Sequence, residues 1–172
     1  MVPLLARIEA MTAAAAPEKE PDDANAKPEP QMEHDWLHRL IGDWSFEGEC
    51  IMDTSEPPTK STGDAKVRSL NGLWILCEGT GDAPDGVPVN SVITLGYDPQ
   101  KAPFVGSFVA SCMTNHWIYE GTLYEVGKVL TLDTEGPGFS DEGSLAPYQD
   151  LIEIESDEHW TLKSRMRGED GQ

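Results

Sequence analysis

The segment from His34 to Cys50, HDWLHRLIGDWSFEGEC, changes hydrophobic period in its middle, and that change limits what the chain can fold into. Trp36, Leu37, Leu40 and Ile41 recur at the spacing of one helical turn, which predicts a short amphipathic helix with Gly42 as its C-terminal stop. From Trp44 to Met52 the period is two. Trp44, Phe46, Gly48, Cys50 and Met52 alternate with mostly polar residues, the pattern of a strand with one buried face.

Period two then persists to the end of the chain. Strands are predicted over Asp64 to Leu70, Leu73 to Thr80, Val89 to Tyr97, Phe104 to Cys112, His116 to Leu123, Lys128 to Asp133, Tyr148 to Glu155 and His159 to Arg167. Asn71 and Gly72 form a two-residue hairpin signal, because a type I′ turn needs positive φ at both positions. Pro99 presets the turn φ in DPQKA, Val126 and Gly127 join the next pair, and EGPGFSDEGS is a glycine-rich loop. Nine short strands and one helix define an all-β class. Hairpin connections in sequence order favour an up-and-down antiparallel barrel of about nine to ten strands, with the N-terminal helix as plug, over a Greek-key sandwich. The dipeptide Glu-Gly recurs at Glu47 and Gly48, Glu78 and Gly79, Glu120 and Gly121, and Glu135 and Gly136. These glycines read as bending points of the strands.

Composition sets the domain plan and excludes several functions. Residues 1–32 contain PEKEPDDANAKPEPQ, too rich in proline and charge to offset ordering entropy, and are expected to be a disordered acidic tail before a domain at 33–172. With 31 acidic against 12 basic residues the formal net charge is -19, which repels nucleic acid and anionic membrane surfaces. Cys50, Cys77 and Cys112 sit in apolar runs with no CxxC spacing and read as reduced core residues. The start, MVPLLARIEAMTAAAA, lacks a basic n-region, and no run reaches the roughly twenty apolar residues of a membrane span, so a cytoplasmic protein is expected.

A helical turn leading into Gly42, Asp43 and Trp44 resembles the opening of the calycin barrels, the lipocalins and fatty-acid-binding proteins. HDWLHRLIGDWSFEGEC, VRSLNGLWILCEG, TLGYDPQKAPFVGSF, MTNHWIYEGTL, KVLTLDTEGPGF and SRMRGEDG, in that order, resemble the bacterial family catalogued as domain of unknown function 1579. The resemblance implies a calycin-like barrel and brings no established activity. Members of that family usually continue past a Gly-Asp-Gly turn into a further strand rich in Tyr and Arg, whereas Asp170 and Gly171 here stand at the end of the sequence. The resemblance therefore predicts that a missing last strand leaves the first and ninth strands exposed; either the chain is truncated, or the N-terminal segment or another subunit fills the gap.

Each candidate for chemistry competes with a plainer reading. His34, Asp35 and His38 nearly spell H-E-x-x-H, but the acid is one methylene short and no third ligand is placed, so no metal is expected. Alternation puts Glu47 and Glu49 toward solvent and leaves Glu78 and Glu120 open, since their strands are apolar on both faces. Arg68 and Arg165 read as internal cations for a carboxylate ligand or, preferably, as surface partners of the many acids. The run His116, Trp117, Ile118, Tyr119 can line a barrel interior, or it can place Trp117 inside and His116 on the surface. No Gly-rich phosphate loop, GxSxG or Cys-His pair is present, which removes those enzyme classes. The sequence is thus read as a non-enzymatic binding module without cofactor, holding a small hydrophobic or amphipathic ligand through Trp44, Phe46, Phe108, His116, Trp117 and Tyr119. The alternatives are a haem-binding protein or hydrophobic-substrate enzyme using His116, and an assembly module that forms homo-oligomers through the open barrel edge.

Overall fold

The computed structural model describes residues 28–50, 57–82, 86–101, 103–124, 127–138 and 143–166. The expected tail through residue 27, Ile51, Met52, Val126 and the segment from Arg167 to Gln172 lie outside the described residues. Among the described residues one helix, α1 (Met32–His38), precedes nine strands: β1 (Gly42–Cys50), β2 (Thr59–Leu70), β3 (Trp74–Asp82), β4 (Pro88–Tyr97), β5 (Phe104–Ala110), β6 (Trp117–Tyr124), β7 (Val129–Pro137), β8 (Leu145–Ser156) and β9 (His159–Met166). Every strand pairs antiparallel with its sequence neighbour, giving one sheet in the order β1 to β9 that curls into a half-barrel. The ladder ends at β1 on one side and β9 on the other. No helix among the described residues is long and apolar enough to cross a membrane.

Register divides the sheet into two faces. The inner one carries Trp44, Phe46 and Gly48 of β1, Val67 of β2, Ile75 and Cys77 of β3, Ile93 and Leu95 of β4, and Phe104 and Phe108 of β5. It continues through Trp117 and Tyr119, Leu130 and Leu132, Ile152 and Ile154, and Trp160. At one end of the lumen these side chains meet α1. Leu37, Leu40, Ile75, Leu95, Leu130, Leu132 and Ile152 are all buried there in one cluster.

The helix is placed differently from the sequence expectation. It ends at His38, Ile41 is exposed, and Gly42 opens β1 instead of stopping the helix. The stop comes from Trp44, whose indole Nε1 donates to the Leu40 carbonyl at 2.8 Å and so satisfies one of the free acceptors past the last turn. Gly42 serves that contact, since a Cβ on it would stand 3.2 Å from Trp44 Nε1. The same Trp44 meets Trp160 of β9 edge to face at 5.9 Å, so the two end strands touch through side chains at the plugged end.

The β2–β3 turn takes positive φ at Asn71 (52°) and Gly72 (82°), as the dipeptide predicts. The ladder closes on Leu70 and Trp74, however, so the connection has three residues and not two. The Glu-Gly pairs also resolve. All four glycines fall on the inner face and all four glutamates on the outer. A neighbouring inner side chain occupies the place of each missing Cβ: Ser61 over Gly48, Ser91 over Gly79, Leu132 over Gly121 and Trp117 over Gly136.

Candidate functional site

Among the described residues, the helix end of the lumen is filled and the other end is not. Toward the other end the inner residues of β1 to β5 become small: Thr59, Ser61 and Gly63 on β2, Gly79 and Gly81 on β3, Ser91 on β4, Ala110 on β5. The Phe46 ring lies across Gly63 and Gly81, where any Cβ would collide with it. Beyond this ring a cavity of about 490 Å³ opens between Phe46, Val89, Phe108 and Met113, with Cys50 and Cys112 in its wall. Glycine and serine on one wall and aromatics on the other leave the space empty, because no inner side chain is long enough to cross it.

On β6 to β8 the inner face carries polar groups at mid-height, outside the lining of this cavity. The Tyr119 hydroxyl donates to Asp150 Oδ2 at 2.6 Å, with the two residues 4% and 8% exposed. Burial first, then the charge of Asp150 and the bond to it, hold the Tyr119 phenol well above its usual range. Thr134 adjoins them, 8% exposed and directly across the ladder from Tyr148. Its Oγ1 is buried without a hydrogen-bond partner. Nearer the mouth, Trp117 stacks edge to face on Tyr148 at 5.0 Å and donates its indole N–H toward Met113 Sδ. Asp150 is the only charged residue at an inner-face strand position among the described residues.

Two stability predictions follow from this wall. Thr134→Val removes a hydroxyl that pays for burial without a bond, so it should raise the unfolding free energy by about 1 kcal/mol in urea titration. For Tyr119 the folded state favours the protonated phenol. Its stabilisation is complete below the unfolded value of about 10 and falls as pH rises beyond it. The urea midpoint should therefore drop more steeply above about pH 10 in the wild type than in Tyr119→Phe.

Of the residues singled out from sequence, Trp44, Phe46, Phe108, Trp117 and Tyr119 all project from the inner face. His116 does not join them. It precedes β6, is exposed, and lines a concavity of about 1150 Å³ on the solvent side of the sheet together with Ile118, Glu120 and Lys101. That concavity is larger than the interior one and mixed in character, with Trp74, Val105 and Ile118 beside Lys101, Glu120, Asp133 and Glu135. Arg68 and Arg165 are on the outer face, the first paired with Glu78 at 3.0 Å and the second with the Gln149 side chain at 2.7 Å. His34 spends its Nδ1 on the backbone N–H of Gln31 at 2.8 Å, closing the first helical turn, and its ring packs on Tyr97. No three His, Cys, Asp or Glu side chains gather in metal-binding geometry among the described residues.

Asp150 and Thr134 escaped the sequence reading although a signal exists for each. Tyr148, Asp150, Ile152 and Ile154 share one phase, so Asp150 is a lone acid in step with apolar neighbours, and Thr134 follows Leu130 and Leu132 in the same way.

A sequential nine-strand meander curled around a lumen, packed at one end by an N-terminal helix and hollow at the other, defines an up-and-down, barrel-like β fold. The chain belongs to the family described as "Protein of unknown function (DUF1579)", which it matches over residues 29–172. No curated protein matches it.

Proposed function

We propose that the protein binds a small apolar or amphipathic molecule in the hollow end of the half-barrel, without turning it over. The observation that carries this reading is the cavity of about 490 Å³ between Phe46 and Phe108. It falls within the range of small-molecule sites, roughly 300–1,000 Å³, and its walls are predominantly apolar with few polar groups. The haem or enzyme alternative loses support from the position of His116, which faces solvent outside the lumen. Inner-face strand positions of the described residues contain no histidine.

Native mass spectrometry of protein purified from its own host should show a retained adduct of small-molecule mass, and calorimetry should detect dodecanol binding that Phe46→Asp abolishes. The cysteines provide a second readout. Cys50 and Cys112 are exposed in the cavity wall, whereas burial and then the neighbouring Glu78 charge push the Cys77 thiol up. A thiol reagent should label Cys50 and Cys112 first, and dodecanol should slow both at least several-fold without changing Cys77. Apo protein from the host, no dodecanol binding and no protection would together remove this reading.

A second reading rests on the sheet order. β1 and β9 are its end strands, and an open strand edge is a template for pairing with another chain. Assembly through these edges should appear as a mass increase with concentration in light scattering, and a constant monomer mass would exclude it.

A further inference from the structure

The cavity is built from stretches of chain that carry no cation. Segments 40–59, 69–100 and 102–115, which supply β1, β3, β4 and β5, contain no Lys, Arg or His. On β2, Lys60, Lys66 and Arg68 stand at outer-face positions and face Glu49, Asp43 and Glu78. Among the described residues that line the cavity the one charged residue is Asp82, and alternation from Gly81 puts it in the outer phase of β3. An ionised group carried into this space would meet no counter-charge, and burial of an unpaired ion is costly.

Hydroxyls supply the polarity instead. Ser61 and Ser91 both line the cavity from inner-face positions. Among the described residues neither hydroxyl makes a hydrogen bond and neither is shut off from the surface, so both stay open to a ligand. They differ in depth. Ser61 lies toward the mouth, next to the exposed Thr59 in the same phase of β2, where water reaches it. Ser91 is the last small inner residue of β4 before Ile93, which packs against the cluster around the helix. Its ladder neighbours Gly79 and Ala110 offer it no polar side chain, and its Oγ stands over Gly79 where a Cβ would be. A neutral hydrogen-bonding group without a partner therefore sits at the plug side of an apolar space.

Building on the binding role proposed above, we propose that the ligand is a neutral amphiphile of the long-chain alcohol type, bound head-inward, with its hydroxyl on Ser91 Oγ and its hydrocarbon running past Phe46, Val89 and Met113 toward the mouth. A fatty acid or an alkylamine in this pose would bury its ionised head beside Ser91 with no partner of opposite charge. In the reverse pose the head would reach water and its charge would matter little. Discrimination against ions and dependence on Ser91 thus report the same orientation by two routes.

Calorimetric titration with dodecanol, dodecanoate and dodecylammonium below their aggregation limits tests this. Salt of about 1 M shortens the screening length to about 3 Å, which removes the pull or push of the acidic surface on either ion. The wild type should bind dodecanol at least tenfold more tightly than either ion. Ser91→Ala should weaken dodecanol about fivefold, the worth of one neutral hydrogen bond, and Ser61→Ala should leave it unchanged. The comparison with the ions uses the unmodified protein and stays decisive if a variant does not fold. Equal affinities for the three probes, tighter binding of either ion, a Ser91→Ala protein that holds dodecanol as the wild type does, or a larger loss at Ser61→Ala than at Ser91→Ala would overturn the head-inward neutral ligand while leaving the binding role intact. Failure of all three probes to bind would overturn both.

Discussion

Trp36→Ala is expected to lower the unfolding free energy by about 3–5 kcal/mol, a large part of the 5–15 kcal/mol that holds a domain of this size together. Trp36 is 6% exposed and fills the centre of the plugged end. Its ring meets Phe104 edge to face at 6.1 Å, and its Nε1 donates to the Gly127 carbonyl in the β6–β7 turn at 2.6 Å. The substitution removes an indole from a close-packed site and leaves that turn carbonyl without its donor, so the cavity cost and the lost bond add. Trp36→Phe separates them. It keeps most of the packing and should cost about 1 kcal/mol, the net value of one hydrogen bond. Urea titrations monitored by far-UV circular dichroism measure both. A loss under about 1 kcal/mol for Trp36→Ala would show that the helix decorates the half-barrel and does not close it.

The size of that effect follows from a contact that sequence pattern cannot specify. The apolar face of the helix was legible, since Trp36, Leu37 and Leu40 recur at helical spacing and all three are buried. The partner 91 residues away was not. Ile41 shares the same spacing and is exposed, because the helix has already ended and Trp44 has taken the Leu40 carbonyl.

Strand reading succeeded and failed along the same physical line. Alternation located all nine strands because, near the plug, inner positions hold large apolar residues such as Leu95, Leu132 and Ile152. It began β2 at Asp64, five residues late, since Thr59, Ser61 and Gly63 supply no apolar beat. Thr59 and Ser61 line the hollow, where a wall that bounds empty space is made of small residues, and Gly63 lies under the Phe46 ring. The stretch that escaped detection as strand is therefore part of the cavity itself. Five of the six residues named for the interior project from the inner face, and His116 falls outside because it is one residue out of phase with Trp117 and Tyr119.

One substitution type should therefore have opposite consequences at two positions on β5. Gly106 and Ala110 both face the lumen, four residues apart. At Gly106 a Cβ would collide with the Thr94 carbonyl on the neighbouring strand and with Leu95, so Gly106→Trp drives an indole into packed backbone and should abolish folding or cost well over 3 kcal/mol. Ala110 borders the cavity of about 490 Å³, and Ala110→Trp places the same indole in empty, apolar-walled space. Burial of its ring then offsets the ordering of the side chain, and the unfolding free energy should stay within about 1 kcal/mol of the wild type. The indole would occupy the volume that a hydrocarbon ligand needs, so dodecanol affinity should fall at least tenfold in calorimetry while the urea midpoint hardly moves. Loss of stability at Ala110 comparable to that at Gly106 would mean that the mouth of the half-barrel is as tightly packed as its plug, and the binding role would fall with it. Retained affinity in a stable Ala110→Trp protein would place the ligand elsewhere, with the outer concavity between Ile118 and Glu120 as the next surface to block.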